Sequence, residues 1–111
     1  MAKFLAVYTG EPTNGPPPDM DQATMARGMQ AWTDWMTKNA GRIVEGGGPL
    51  GKTKKVSKTG VADIRNHMAG YVVLEADDID AAAALFKDHP HFTIFPGDGV
   101  EVMPVLAIPG A

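Results

Sequence analysis

Gly-Tyr-Val-Val-Leu-Glu, at residues 70–75, begins the most strongly patterned part of the chain. Its apolar and β-branched side chains are typical of a strand that is covered on both faces. Residues 78–87 follow with apolar side chains at helical spacing, and Gly-Val-Glu-Val-Met-Pro-Val at residues 99–105 is another strand candidate. This part of the chain therefore predicts a strand, a helix and a strand.

The upstream residues repeat this order. Residues 3–8 form a strand candidate whose two alternating sets are both apolar or aromatic, so we expect both of its faces to be covered. Asp19 is the predicted N-cap of a first helix, with Gln22 in the capping-box position. The helix is expected to end near Gly41 in a left-handed conformation, and residues 42–50 resume as a strand.

The first helix carries a stripe of apolar residues at spacings of four, three and four, which predicts a face buried in the core. The members of this stripe are Met25, Met29, Trp32 and Met36. Trp35 lies off the stripe and is expected at an edge or against a partner chain.

Three glycines at residues 46–48 predict a bulge or a close backbone approach within the second strand, because no phosphate-binding pattern surrounds them. Residues 51–68 are polar, with lysines crowded before a Thr59-Gly60 turn, which indicates a solvated hairpin. The second helix is expected to be capped by Asp77 or Asp78 and closed by His89-Pro90. Its predicted buried face consists of Ile79, Ala82, Ala83 and Phe86.

The predicted fold class is α+β, a ferredoxin-like βαββαβ arrangement with an extra hairpin, in a single domain covering residues 1–111. Two helices cover only one face of a four-stranded sheet, yet the first and third long strands are apolar on both faces. A second copy of the chain is the simplest cover for the remaining face. The sequence therefore predicts a homodimer in which the two sheets pack face to face about a two-fold axis.

From the charge and hydropathy of the chain, nucleic acid and membranes are not expected as partners. The chain has 111 residues, a formal charge of −3 and no cysteine. A slightly acidic chain has no broad positive field for nucleic acid or anionic lipid, so neither partner is expected. No run approaches the ~20 apolar residues of a membrane span. The expectation is a soluble protein of the cytoplasm.

Six features in this order resemble the YCII-related domain family, including its DGPF branch, within the dimeric α+β barrel superfamily. They are the apolar first strand, Gly41-Arg42, Gly48-Pro49-Leu50, Gly70-Tyr71, His89-Pro90 and Val100-Glu101-Val102-Met103-Pro104. The resemblance covers nearly the whole chain and implies that the predicted α+β fold with its extra hairpin forms a dimeric α+β barrel.

Two positions depart from that family. Residues 59–63 read Thr-Gly-Val-Ala-Asp where the DGPF tetrapeptide is expected. Some members also place on the first helix a histidine that is half of a proposed His/Asp dyad, whereas the first helix here contains none. The dyad is therefore not carried over to this chain.

The candidate catalytic residues are those that titrate near neutral pH, together with carboxylates that could orient them. They are His67, His89, His91, Asp63 and Asp98. Histidines that cap carbonyls or lie in solvent are the structural alternative. The candidate binding residues are Tyr8 and Arg65, for a carboxylate or phenolate, and Trp32 and Phe92, for an apolar pocket. Surface pairing of Arg65 with Asp63 or Glu45 and simple core packing are the alternatives.

No metal and no cofactor are expected, because the proline between His89 and His91 restricts the convergence of their rings and the histidines are predicted on loops. Two functions remain open. One is a cofactor-independent enzyme that acts on a small aromatic or lactone-like molecule by His-assisted proton transfer. The other is a non-catalytic homodimer that binds a small ligand or another protein. The proline-rich loop at residues 10–18 is either a lid or a plain connection.

Overall fold

Residues 1–11 and 20–110 are described by a computed structural model. Three helices, six strands and one 3₁₀ turn form in this part of the chain, and the turn (Ala40–Arg42) follows the first helix. In chain order they are β1 (Ala2–Thr9), α1 (Gln22–Lys38), β2 (Ile43–Pro49), β3 (Thr53–Ser57), β4 (Gly60–Ile64), β5 (Met68–Ala76), α2 (Ile79–Ala84), α3 (Pro90–Thr93) and β6 (Gly99–Pro104). The predicted proline-rich loop lies mostly outside the described residues.

The main sheet is antiparallel and has the strand order β2-β5-β1-β6, while β3 and β4 pair only with each other in a separate hairpin. The chain folds as a ferredoxin-like α+β unit with an extra hairpin, which confirms the predicted fold class. Phe4 of β1 pairs with Leu74 of β5, and Ala6 pairs with Val72. These four side chains are buried beneath the helices and form the centre of the core.

The other side of the sheet points away from the helices, and we call it the open face. Residues that alternate with the core positions and pair across the strands give it an apolar centre. The apolar centre consists of Leu5, Val7, Tyr71, Val73 and Met103. Glu45, Glu75 and Glu101 share this face with Lys3. The apolar pattern on both sides of β1 and β5 is therefore present as predicted.

The glycines of β2 produce the predicted irregularity. The register between β2 and β5 shifts twice, between Ile43 and Glu45 and between Glu45 and Gly48. Gly47 has a φ of 66°, and a Cβ atom there would lie 1.9 Å from the carbonyl oxygen of Tyr71. Only glycine fits both the left-handed conformation and this contact.

Helix α1 differs from its prediction at its start. Asp21 is the N-cap, and its carboxylate accepts a hydrogen bond of 2.6 Å from the backbone N–H of Thr24. This bond, followed by a second from the Thr24 side chain and by the charge of Arg27, holds the pKa of Asp21 below its usual value. The predicted cap Asp19 lies outside the described residues.

The predicted apolar stripe of α1 is wrong in its first half, since Met25 and Met29 are 44% and 58% exposed. The buried face instead follows Gly28, Trp32 and Trp35. A Cβ atom on Gly28 would lie 2.6 Å from the ring of Phe95, so the missing side chain lets the helix lie close to that residue. Trp35, expected at an edge or against a partner chain, packs against the core.

Two helix ends also differ from expectation. α1 ends with Asn39, whose side-chain amide donates to the carbonyl oxygen of Trp35, and the chain continues into the 3₁₀ turn without a left-handed Gly41. The second helix is shorter than predicted, and Asp78 caps it. Ala82 and Phe86 are buried as expected, but Ala83 and Ile79 are exposed.

Candidate functional site

Six aromatic side chains pack together between the helices and the core side of the sheet. We call them the aromatic cluster: Tyr8, Trp32, Trp35, Phe86, His89 and His91. The ring centroids of Tyr8 and Trp32 are 4.8 Å apart, and that of His89 lies 4.7 Å from Trp32 and 5.2 Å from Tyr8. The cluster therefore brings two histidines and a phenol into an apolar interior.

Three elements position these rings. Tyr8 projects from the core face of β1 near its end, and the two tryptophans project from one face of α1. The indole N–H of Trp35 donates a hydrogen bond of 2.8 Å to the carbonyl oxygen of Leu85, just after α2. This bond ties α1 to the segment that leads into the histidines.

His89 is the N-cap of the short helix α3. Its Nδ1 atom accepts a hydrogen bond of 3.0 Å from the backbone N–H of His91, so Nδ1 carries no proton. The side chain is 1% exposed, and burial, followed by repulsion from His91, lowers its pKa to about 4. At neutral pH the imidazole of His89 is therefore uncharged, with its proton on Nε2.

In His91 it is Nε2, and not Nδ1, that forms the hydrogen bond to the protein. Its Nε2 atom lies 2.7 Å from the carbonyl oxygen of Thr9, which only accepts hydrogen bonds, so Nε2 carries the proton. In the neutral ring the free electron pair is then on Nδ1. A Cβ atom on Gly97 would lie 2.3 Å from Nε2 of His91, so this glycine closes the side of the ring opposite Nδ1.

Two buried polar atoms of the cluster have no hydrogen-bond partner among the described residues: the hydroxyl of Tyr8 and Nε2 of His89. Tyr8 is 4% exposed, and burial raises its pKa well above the ordinary value, so the phenol keeps its proton. An unpaired buried donor costs about 1–3 kcal/mol. Such groups are rare in folded proteins and call for a specific reason.

Asp98 reaches this site only through Thr9. Its backbone N–H donates a hydrogen bond of 2.9 Å to the carbonyl oxygen of Thr9, the same atom that accepts the hydrogen bond from His91 Nε2. Its carboxylate accepts a hydrogen bond of 3.3 Å from the Thr9 hydroxyl. Asp98 thus stabilises the end of β1 that orients His91, and the expected direct contact between a histidine and a carboxylate does not occur in the described structure.

A surface groove of about 530 Å³ lies on the other side of Phe86. Its apolar wall includes Phe86, Phe92 and Val100, and charged side chains at its rim are Asp80, Lys87 and Asp98. Phe92 therefore lines this groove, whereas Trp32, the other residue predicted for an apolar pocket, lies in the aromatic cluster. The histidines do not line the groove.

Three of the predicted site residues lie away from the cluster. Asp63 forms an ion pair of 2.5 Å with Lys54 inside the exposed hairpin. Arg65 is exposed on the same hairpin. Its two expected partners bind other residues, because Asp63 pairs with Lys54 and Glu45 accepts a hydrogen bond from the Tyr71 hydroxyl. His67 is exposed, and its Nδ1 lies 3.1 Å from the carbonyl oxygen of Gly10 at the base of the hairpin.

Sequence patterns gave no indication of the roles of Thr9, Gly97 and Trp35, which contribute through a carbonyl oxygen, a missing Cβ and a bond across 50 residues. Across residues 1–11 and 20–110, no three histidine, aspartate or glutamate side chains come close enough to hold a metal ion.

Comparison with known proteins supports the fold. No protein-family model and no curated protein matches this chain. Among solved structures, the chain is similar to 5-chloro-2-hydroxyhydroquinone dehydrochlorinase from Burkholderia phenoliruptrix in complex with 2,5-dihydroxybenzoquinone. The TM-score is 0.54 at 15% identity, over 91% of this chain and 90% of the other. In the part of the chain that the structure covers, no helix is both long and apolar enough to cross a membrane. The comparison shows that this chain shares the fold of that α+β protein.

Proposed function

We propose that the protein is a cofactor-independent enzyme that moves a proton on a small hydroxylated aromatic or related enolisable molecule bound at the aromatic cluster. The observation that carries the proposal is the pair of buried, unpaired donors, Tyr8 O–H and His89 Nε2–H. Their rings lie 5.2 Å apart, so one ligand oxygen, or two on one small ring, could accept from both. The fold likeness to a dehydrochlorinase bound to a small dihydroxyquinone supports the same class of ligand.

The donors favour a particular kind of oxygen. Both are uncharged at neutral pH, and their ring neighbours in the cluster are tryptophan, phenylalanine and histidine. Neutral donors in an apolar site stabilise negative charge that develops on a carbonyl, phenol or enol oxygen during reaction. Carboxylates and phosphates usually require an arginine or a lysine instead. We therefore expect phenols, quinones and enolisable ketones to bind.

His91 supplies the base. With Nε2–H held by the carbonyl oxygen of Thr9, its Nδ1 electron pair accepts a proton from a C–H or O–H group of the ligand. The ligand electrons move to the oxygen held by Tyr8 and His89. Return of the same proton from Nδ1 to another ligand atom completes an isomerisation with no net change in charge.

The experiment uses 2,5-dihydroxybenzoquinone and unsubstituted hydroxyquinones as probes. Binding is followed by the fluorescence of Trp32 and Trp35. Proton transfer is followed by NMR, as the exchange of ring C–H hydrogens of the probe for deuterium from D2O. We expect His91→Gln to lower the exchange rate by 10²-fold or more while the dissociation constant changes by less than about threefold.

A non-catalytic ligand-binding protein is the second candidate, and the 1% exposure of His89 favours it, because a closed site retains a ligand well. Binding without exchange above the buffer rate would support this function and contradict the enzyme. Failure of the wild-type protein to bind any probe would contradict both.

The quaternary part of the proposal is a homodimer. Leu5, Val73 and Met103 form a row across three strands of the open face, and none of the helices in residues 1–11 and 20–110 lies on that side. Packing of two such faces about a two-fold axis would cover both rows. Sedimentation should therefore give twice the chain mass of 11.8 kDa.

A further inference from the structure

The β3–β4 hairpin extends away from the sheet and pairs only with itself. The radius of gyration is 15.7 Å, against roughly 13 Å for a compact domain of this length. Val56 and Val61 face each other across the hairpin and are 77% and 64% exposed. A two-stranded hairpin is at best marginally stable in water, so this one needs a surface to pack on.

The charges of the chain are divided between the hairpin and the rest. Residues 51–66 contain five basic residues and one acidic residue, a formal charge of +4. Since the whole chain carries −3, the other residues carry −7. The basic residues of the hairpin are Lys52, Lys54, Lys55, Lys58 and Arg65.

The open face has the complementary character. Three glutamates and one lysine accompany its apolar centre: Glu45, Glu75, Glu101 and Lys3. Two identical open faces repel each other through their net negative charge when they pack together. A basic segment with an exposed valine pair, placed beside them, neutralises the glutamates and covers its own apolar side chains.

We infer that the hairpin is a clasp for a second copy of this chain, the basic hairpin of one protomer lying on the glutamates of its partner's open face. This inference rests on the proposed pairing of two chains and is independent of the aromatic cluster. Because each chain carries one hairpin and one open face, a two-fold dimer forms the contact twice.

Charge reversal tests the clasp. Lys55→Glu with Lys58→Glu changes two exposed side chains and leaves the Lys54–Asp63 pair intact. We expect at least about a tenfold rise in the dimer dissociation constant near 50 mM salt, measured by sedimentation equilibrium, and a smaller difference near 500 mM. The control, Lys38→Glu with Lys87→Glu, makes the same change of charge on α1 and on the turn after α2, and should leave the constant within about twofold.

A mixing experiment identifies the contact as one between chains. A second variant, Glu75→Lys with Glu101→Lys, should also associate weakly alone, because its hairpin and open face are both basic. An equimolar mixture of the two variants should form a heterodimer, since the basic hairpin of the second variant meets the acidic open face of the first. The hairpin of the first variant, whose two Lys→Glu changes bring its formal charge from +4 to 0, meets the basic face of the second without repulsion.

Three results would overturn the clasp. Unchanged self-association of the hairpin variant would do so while leaving the pairing of open faces intact. A wild-type protein that stays monomeric at about 100 µM would remove the clasp and the dimer together. Binding of a labelled oligonucleotide that the hairpin variant loses, with its self-association unchanged, would assign the lysines to nucleic acid instead.

Discussion

Nε2 of His91 lies 2.7 Å from the carbonyl oxygen of Thr9, a residue 82 positions away in the sequence. The register of β1 with β5 shifts between Tyr8 and Thr9, at the point where the strand leaves the regular ladder. The same carbonyl oxygen accepts the backbone N–H of Asp98. The irregular end of β1 therefore fixes which nitrogen of His91 holds the proton.

Removal of the unpaired phenol should separate stability from binding. Tyr8→Phe deletes a buried donor without a partner, so we expect the free energy of unfolding to stay constant or rise by up to about 1 kcal/mol. We also expect affinity for 2,5-dihydroxybenzoquinone to fall about tenfold, because one hydrogen bond to the ligand is lost. Urea unfolding and fluorescence titration measure the two effects. Tyr71→Phe, which changes an exposed phenol on the open face, is the matched control and should leave the affinity unaltered.

The pKa of His89 makes stability dependent on pH. The folded protein holds this pKa at about 4, whereas the unfolded chain titrates near 6.5. Protons therefore bind the unfolded chain first, and the free energy of unfolding is highest above pH 6.5 and falls as the pH drops towards 4. The loss from this group alone reaches about 3 kcal/mol.

His89→Asn tests that dependence because asparagine is also a good N-cap. The variant should be less stable than wild type at pH 7, because it leaves a cavity, but the difference should shrink towards pH 4. His67→Asn removes an exposed histidine and should keep the wild-type pH profile. Parallel profiles for His89→Asn and wild type would contradict the assignment.

Gly97 should control the position of His91. An added Cβ atom would lie within 2.5 Å of three His91 atoms, so Gly97→Ala must displace the ring or the α3 segment. We expect a loss of about 1–3 kcal/mol in stability and a lower rate of deuterium exchange into the bound probe. Gly41→Ala, where nothing lies within 4 Å, is the control. Equal stability of the two variants would show that His91 tolerates the shift.

The three consecutive glycines of β2 should differ in their tolerance to alanine. Gly47→Ala places a side chain on a left-handed residue and against the carbonyl of Tyr71, so a loss above about 2 kcal/mol is expected. Gly48→Ala meets nothing within 4 Å and should cost less than about 1 kcal/mol. Thermal unfolding of the two variants measures the difference. Similar melting temperatures would contradict the contact.

Much of the fold was predictable because it depends on local patterns. The apolar runs at residues 3–8 and 70–75, the Asp78 cap and the bulge at Gly47 each appear where the sequence places them. The face of α1 was predicted incorrectly because methionine spacing indicated burial, whereas the close approach of Phe95 to Gly28 selects another face. Helix packing of this kind depends on residues that are distant in the sequence.

The site was predictable only as a set of residue types. Tyr8, Trp32, His89 and His91 were identified as candidates and lie together, whereas Asp63, Arg65 and His67 lie elsewhere. Proximity between β1 and α3 arises from the sheet order and cannot be read from spacing. The state of each imidazole depends on backbone atoms, which no side-chain pattern records.

The base of the hairpin is closed by a backbone hydrogen bond of 2.9 Å from Leu50 to Ala69. The residues between Leu50 and Ala69 therefore form an inserted segment whose two ends are held together by one backbone hydrogen bond. The entropic cost of closing such a segment grows slowly with its length. Shortening or lengthening the hairpin by a few residues should therefore barely alter the free energy of unfolding of the main sheet and its helices. Changes in the length of the hairpin would therefore alter the contact that we infer between chains while leaving the aromatic cluster untouched.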